Sequence, residues 1–262
     1  MESNFIFAMS LTLLAGLATG VGSIMALFAK QTNTKFLAGS LGFSAGVMLY
    51  VAMVEIYSKS KTYLAAASGE IGGACYAALF FFVGIVLIGI IDFVVPSTDG
   101  DIGSLSPQKN NRDSLKRMGF MTALAIGIHN FPEGLATFTS ALRDPHLGVA
   151  IAVAIAIHNI PEGIATSAPI FFATGNRKRA FGISFISGMT EPIGALIGYL
   201  ILRPFFNDFV FGALFAVVAG IMVFIAIEEL LPMARELEKS RVTIIGAVVG
   251  MMVMAVSLLL FM

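Results

Sequence analysis

The sequence predicts an all-α membrane protein of eight transmembrane helices, on three observations. The 262 residues are 57% hydrophobic and only 12% charged, about half the ~25% charge of a soluble domain. Mean hydropathy is +0.90. Apolar segments of ~20 residues, the length a bilayer crossing demands, recur along the whole chain. This composition excludes a disordered chain, a nucleic-acid binder and an ordinary cytosolic enzyme.

The first span, about 5–28, follows Met1-Glu2-Ser3-Asn4. No base precedes the apolar run, so a secretory leader is not expected. Spans two and three, about 36–57 and 71–95, are parted by a polar stretch holding Lys59 and Lys61. Spans four and five, about 117–142 and 147–172, are joined by the turn Arg143-Asp144-Pro145-His146, which makes His146 a surface residue. Span six, about 180–202, follows Arg177-Lys178-Arg179, and spans seven and eight cover about 209–232 and 242–262. Each can cross ~30 Å at ~1.5 Å per residue. Unpaired backbone is costly in lipid, which makes helical spans the economical solution. The Pro/Ser/Asp/Asn/Lys stretch 96–116 reads as a cytoplasmic loop. No separate soluble domain is expected, so 1–262 is one polytopic unit. The single Cys75 excludes a disulfide framework and a cysteine metal site.

The chain is formally neutral, with 16 basic and 16 acidic residues. The distribution of its bases gives an orientation. With the N-terminus outside, the inner loops hold Lys30, Lys35, Lys109, Arg112, Lys116, Arg117, Arg177, Lys178, Arg179, Arg235, Lys239 and Arg241. The outer loops hold Lys59, Lys61, Arg143 and Arg203. Both termini are therefore expected outside the cytoplasm. Gly16/Gly20, Gly42/Gly46, Gly194/Gly198 and Gly246/Gly250 have the spacing that lets helices approach closely.

The chemistry lies in spans four to six. Ile128–Thr137 reads IHNFPEGLAT and Ile157–Thr166 reads IHNIPEGIAT, with eight of ten positions identical. The spans are antiparallel, and the two motif centres lie about equally far from their joining turn, ~20 Å of helix. Both copies thus sit near mid-membrane. At ~100° per residue, His129, Glu133 and Thr137 share an arc of ~80° with Asn130 at its edge. His158, Asn159, Glu162 and Thr166 repeat that arc. Pro132 and Pro161 each remove a backbone donor and free a carbonyl one turn earlier. On span six, Ser184, Ser187 and Glu191 fall within ~60°. Each ionised side chain at the bilayer centre costs ~2.5–3.5 kcal/mol on insertion scales. Three such glutamates must face one another, water or a cation. Imidazoles with carboxylates and amides suit a borderline divalent transition metal rather than Na⁺ or K⁺. The bland alternative is a polar cluster that joins two helices by hydrogen bonds, and the duplication argues against it.

HNFPEG and HNIPEG on consecutive central spans, followed by SGMTEP on span six, resemble the ZIP family of divalent-metal transporters, in its bacterial branch. The resemblance covers the whole chain. It implies uptake of Zn²⁺, and of Fe²⁺, Mn²⁺, Co²⁺ or Cd²⁺, across the cell membrane into the cytoplasm. It implies one metal position at Met48, His129, Glu133, His158 and Glu162. A second falls at Asn130, Glu133, Asn159, Glu162 and Glu191, the shared glutamates bridging. Met48 also sits with Ser40, Ser44 and Glu55 within ~80° on span two, although a buried Met is more often packing. The resemblance further implies a 3+2+3 helix arrangement, an elevator motion of spans 1, 4, 5 and 6 against 2, 3, 7 and 8, and a homodimer. Many relatives carry a His-rich loop where 96–116 has no histidine, so metal sensing there is not expected.

Glu55 near the outer end of span two, Asp92 near the inner end of span three, and Glu228 and Glu229 near the inner end of span seven mark an entrance and exit path. Metal is then cargo, with no catalytic residue and no catalytic cofactor. The rival reading is a membrane-embedded metalloenzyme, a hydrolase or a di-iron type. Against it, the chain has neither an HExxH motif nor a Glu-xx-His pair. A passive metal channel would use the same ligands.

Overall fold

The computed structural model describes residues 2–28, 34–94, 111–205 and 207–260. Within these, the side chains of 2, 3, 91–94, 111–119, 121, 122, 125, 129, 132, 143, 147, 202 and 203 lie outside the description. The described residues form helices and no strand. These are α1 (Glu2–Phe28), α2 (Thr34–Tyr50), α3 (Tyr57–Val94), α4 (Asn111–Arg143), α5 (Pro145–Thr174), α6 (Arg177–Leu202), α7 (Asp208–Phe224), α8 (Leu231–Leu237) and α9 (Val242–Leu260). A 3₁₀ turn, Arg203–Phe205, follows α6. Among the described residues, six helical stretches are long and apolar enough to cross a membrane. Many α4 side chains lie outside the description, and α4 is not among the six.

One of the six runs from Thr34 to Ile90, 57 residues. At ~1.5 Å per residue it would be ~86 Å long, far more than one bilayer crossing. It is not straight. Gly69 has φ 79° and ψ 165°, a conformation open to glycine and strained for other residues. The chain doubles back there: a Cβ on Gly73 would overlap the Ala65 amide nitrogen. The expected connection 58–70 is thus helix up to Ser68, and Gly69 alone makes the reversal. Other boundaries shift too. Helix α4 begins at Asn111, so the end of the expected loop 96–116 is helical. The rest of that loop, with Lys109, lies outside the described residues. Span seven continues to Leu237 through α8.

Two short π-helical turns interrupt the regular ladder, Val51–Ile56 after α2 and Ile225–Leu230 after α7. In the first, the Tyr57 N–H donates to the Ala52 carbonyl, and in the second the Leu231 N–H donates to Ala226. Both bonds reach five residues back instead of four, the π pattern. The turns also match in sequence: VAMVEI and IAIEEL place Ala52 opposite Ala226 and Glu55 opposite Glu229.

Packing divides the helices into two groups. Helices α1, α4, α5 and α6 pack on one another, while α3 packs on α7 and α2 on α9. The groups meet chiefly where α2 crosses α5. All four glycine pairs singled out in the sequence lie at helix contacts. A Cβ on Gly42 or Gly46 would overlap the Thr243 or Ala247 carbonyl oxygen of α9, and one on Gly246 or Gly250 would overlap Gly39 or Phe43 of α2. Gly194 abuts the Phe131 carbonyl, Gly198 the Leu135 side chain, Gly16 the Gly188 carbonyl and Gly20 the Phe185 ring. Phe5, Phe138 and Tyr199 add an aromatic trio across α1, α4 and α6, with centroids 5.1–5.6 Å apart.

The start of α7 is capped by Asn207, whose side chain accepts from the Val210 N–H at 2.9 Å. Asn207→Ala leaves that donor without its cap and should cost ~1 kcal/mol, read as a lower thermal midpoint in detergent.

Candidate metal centre

The duplicated motif places its chemistry on two adjoining helices, α4 and α5. Asn130, Glu133, His158, Asn159, Glu162 and Glu191 are all 0% exposed. Glu133 Oε1 of one copy lies 2.8 Å from His158 Nε2 of the other. Next along α5, Asn159 donates from its amide nitrogen to Glu191 Oε2 at 3.0 Å and to the Ala15 carbonyl at 3.0 Å. Asn130 donates to the Ser187 carbonyl at 3.2 Å. Contacts therefore run from α4 through α5 to α6 and α1. Glu162 stands one turn beyond His158 on the same helix.

Both asparagines spend their nitrogens on neighbouring carbonyls. Their oxygens, Asn130 Oδ1 and Asn159 Oδ1, are buried and accept no hydrogen bond among the described residues. Buried acceptors ordinarily find a donor, and an oxygen held this way is also a suitable cation ligand. Among the described residues, no three His, Cys, Asp or Glu side chains gather closely enough to hold a metal. The His129 side chain lies outside them. The motif threonines are occupied locally: Thr137 donates to the Glu133 carbonyl at 3.0 Å, and Thr166 lies 2.6 Å from Ser184 Oγ.

The close approach of these helices depends on the glycine of each copy. A Cβ on Gly134 would overlap the Glu191 carbonyl oxygen of α6, and one on Gly163 would overlap the Thr19 carbonyl oxygen of α1. Gly16 leaves room for Glu191: a Cβ there would lie 3.1 Å from Oε2. The contribution of α1 to the site is an addition to the residues expected from the sequence. Its signals in the sequence are Gly16 and the second repeat's glycine, Gly163. The two copies also differ in surroundings, since Gly134 meets α6 and Gly163 meets α1.

The remaining candidates are more dispersed. Met48 is 0% exposed in the main apolar cluster, with Ala136, Ile164 and Ala165 of the motif helices. Glu55 is half-buried in the first π turn and paired with Lys59. The ~100° step that grouped it with Met48 does not hold through that turn. Glu228 is exposed and Glu229 half-buried in the second π turn. The Asp92 side chain lies outside the described residues. His146 is exposed, as expected of a turn residue.

Apolar helices around a buried carboxylate and imidazole set define a multi-pass membrane protein. A family model described as ZIP Zinc transporter matches residues 100–258, and the chain belongs to that family. Full-length relatives agree. The chain is 54% identical over 268 residues to "Zinc transporter ZupT" of Lysinibacillus sphaericus, covering 99% of each. It is 55% identical over 267 residues to the protein of the same name from Chlorobaculum parvum, and 53% over 263 residues to that of Streptococcus mutans, covering 100% of each chain in both cases.

Proposed function

We propose that this protein carries Zn²⁺ and related divalent transition metals into the cytoplasm, through a site formed by Met48, His129, Asn130, Glu133, His158, Asn159, Glu162 and Glu191. The observation that carries the reading is the Glu133–His158 contact at 2.8 Å, with both side chains 0% exposed, inside an apolar helical bundle. A bound divalent cation neutralises the carboxylates and lets the loaded site pass a low-dielectric barrier, where each bare charge costs several kcal/mol. Glu133 and Glu162 bridge two metal positions. Glu55 gathers cations at the outer mouth, and Asp92, Glu228 and Glu229 receive them at the inner one. Metal is the transported substrate, and no enzymatic step is assigned.

The same reading takes the chain as one domain of eight crossings in a 3+2+3 arrangement, with Gly69 at an outer reversal, both termini outside the cytoplasm and a homodimer as the assembly. Helices α1, α4, α5 and α6 move as an elevator against α2, α3, α7 and α9. The division of packing between those two groups supports it.

Purified protein in liposomes should take up zinc with no other subunit present. Absence of flux would overturn the proposal, and ohmic single-channel currents would replace the carrier by a channel. Ligands bind metal only when deprotonated, so protons compete with it. Initial uptake at fixed zinc should fall as external pH is lowered and recover when zinc is raised. Iron, manganese, cobalt, nickel and cadmium added as competitors in the same assay measure selectivity.

A further inference from the structure

A serine or threonine inside a helix can donate to the carbonyl four residues back, and several here do. Thr12 donates to Ala8 at 3.0 Å, Thr139 to Leu135 at 2.7 Å, Ser140 to Ala136 at 2.7 Å and Thr174 to Ile170 at 2.6 Å. Thr19 and Ser23 of α1 do not. Both are 0% exposed, and neither hydroxyl has a hydrogen-bond partner among the described residues. The packing of α1 explains this. The Ala15 carbonyl, four residues before Thr19, accepts the helical N–H and also the Asn159 amide at 3.0 Å, which fills both its lone pairs. The Thr19 carbonyl, four residues before Ser23, is crowded by Gly163 of α5. Thr19 turns to α6 instead: its Oγ1 would lie 2.9 Å from a Cβ on Gly188.

Other hydroxyls stand at the same level. Gly16 meets Gly188 and Gly20 meets Phe185, so α1 and α6 run antiparallel. With Thr19 against Gly188, Ser23 one turn on comes level with Ser184 one turn back. Ser184 Oγ lies 2.6 Å from Thr166 Oγ1 and 3.3 Å from the Gly163 carbonyl oxygen, and both residues are 0% exposed. Four neutral hydroxyls thus line the seam between α1, α5 and α6, beginning about one turn from the Asn159–Glu191 contact. A buried hydroxyl left without a partner opposes folding, and an internal water typically makes ~3 hydrogen bonds to such groups. Hydroxyls both donate and accept, which suits water; a bare cation would need a carboxylate among them. We propose that Thr19 and Ser23 bind ordered water in this seam, bridging α1 to Ser184 and Thr166. The water is distinct from the metal positions, and it gives α1, α5 and α6 a hydrated contact inside an apolar bundle.

The test joins a structure of the metal-free protein, at a resolution that shows ordered solvent, to thermal midpoints of two variants in detergent. The wild type should show solvent density ~2.8 Å from Thr19 Oγ1 and Ser23 Oγ, and Thr19→Val should lose it. Valine keeps the shape of threonine and Ser23→Ala only removes an atom, so neither variant adds bulk. Where water completes the hydroxyls, each variant should lower the midpoint by about 2–4 °C, the worth of roughly one net hydrogen bond. Where the hydroxyls are dry, removing one relieves a buried polar group and the midpoint rises instead. A midpoint unchanged or raised in either variant would overturn the proposal, as would a wild-type map without density at the two oxygens. A wild-type midpoint raised by sodium or potassium chloride but not by choline chloride would also overturn it, and would give the seam to a monovalent cation. None of these readouts uses metal flux, so failure here leaves the transport reading standing, and the converse holds.

Discussion

Replacing Glu133 or Glu162 by alanine is expected to reduce zinc uptake at least ~100-fold, since even groups that only support a metal ligand are worth ~10–100-fold in affinity. Each glutamate is proposed to serve two metal positions, so one substitution damages both. Without metal, Glu133→Ala should lower stability, because it takes away the carboxylate that contacts the buried His158 at 2.8 Å. Glu133→Gln and Glu162→Gln separate charge from shape: they keep the side-chain volume and should be nearly as inactive as the alanine variants. Uptake is measured in proteoliposomes, with size-exclusion profile and thermal midpoint as controls for folding. Wild-type uptake by a folded Glu133→Ala or Glu162→Ala protein would sink the assignment of the site.

Gly163→Val should give the second large effect, this time on the fold. Its Cβ would be driven into the Thr19 carbonyl of α1. Backbone on both sides leaves no flexible side chain to yield. Overpacking of this kind costs ~1–3 kcal/mol or more, and separating α1 from α5 also loosens the Asn159–Ala15 hydrogen bond. The thermal midpoint should drop by several degrees and uptake should fall with it. Gly182→Ala on α6 is the matched control, because a Cβ there meets nothing within 4 Å. It should be neutral or stabilising by up to ~1 kcal/mol, the ordinary gain of alanine over glycine in a helix. Equal midpoints for the two variants would show that the close approach at Gly163 does not limit stability.

The all-helical class and the burial of Glu133, His158, Glu162 and Glu191 are legible in the sequence because each rests on a strong physical constraint. Lipid forces long apolar helices, and a glutamate inside one needs a partner. The pairing of His158 with Glu133 follows from two antiparallel copies of one motif meeting at equal depth. Other features rest on weaker local signals. Gly69 is one glycine among 27, and nothing in its neighbours distinguishes a reversal from a loop. The Asn159–Ala15 bond reaches a backbone carbonyl, which carries no residue-type signature. Ser187 accepts from Asn130 through its carbonyl in the same way, not through its hydroxyl. The π turns have no signature in composition, and a constant ~100° step through span two passes over them.

Those π turns make the length of the chain itself a functional quantity. Each holds one residue more than an α-helical turn would, so the face presented beyond it is rotated relative to the face before it. A one-residue deletion within 51–56 would let the ladder close as ordinary α-helix and swing everything from Tyr57 to Gly69 around the axis. A deletion within 225–230 would do the same to α8. Substitutions at Met53 or Ile227, both exposed, would leave that phase intact. Evolutionary drift in these two segments should therefore admit exchanges at exposed positions such as Met53 and Ile227 and gaps hardly at all.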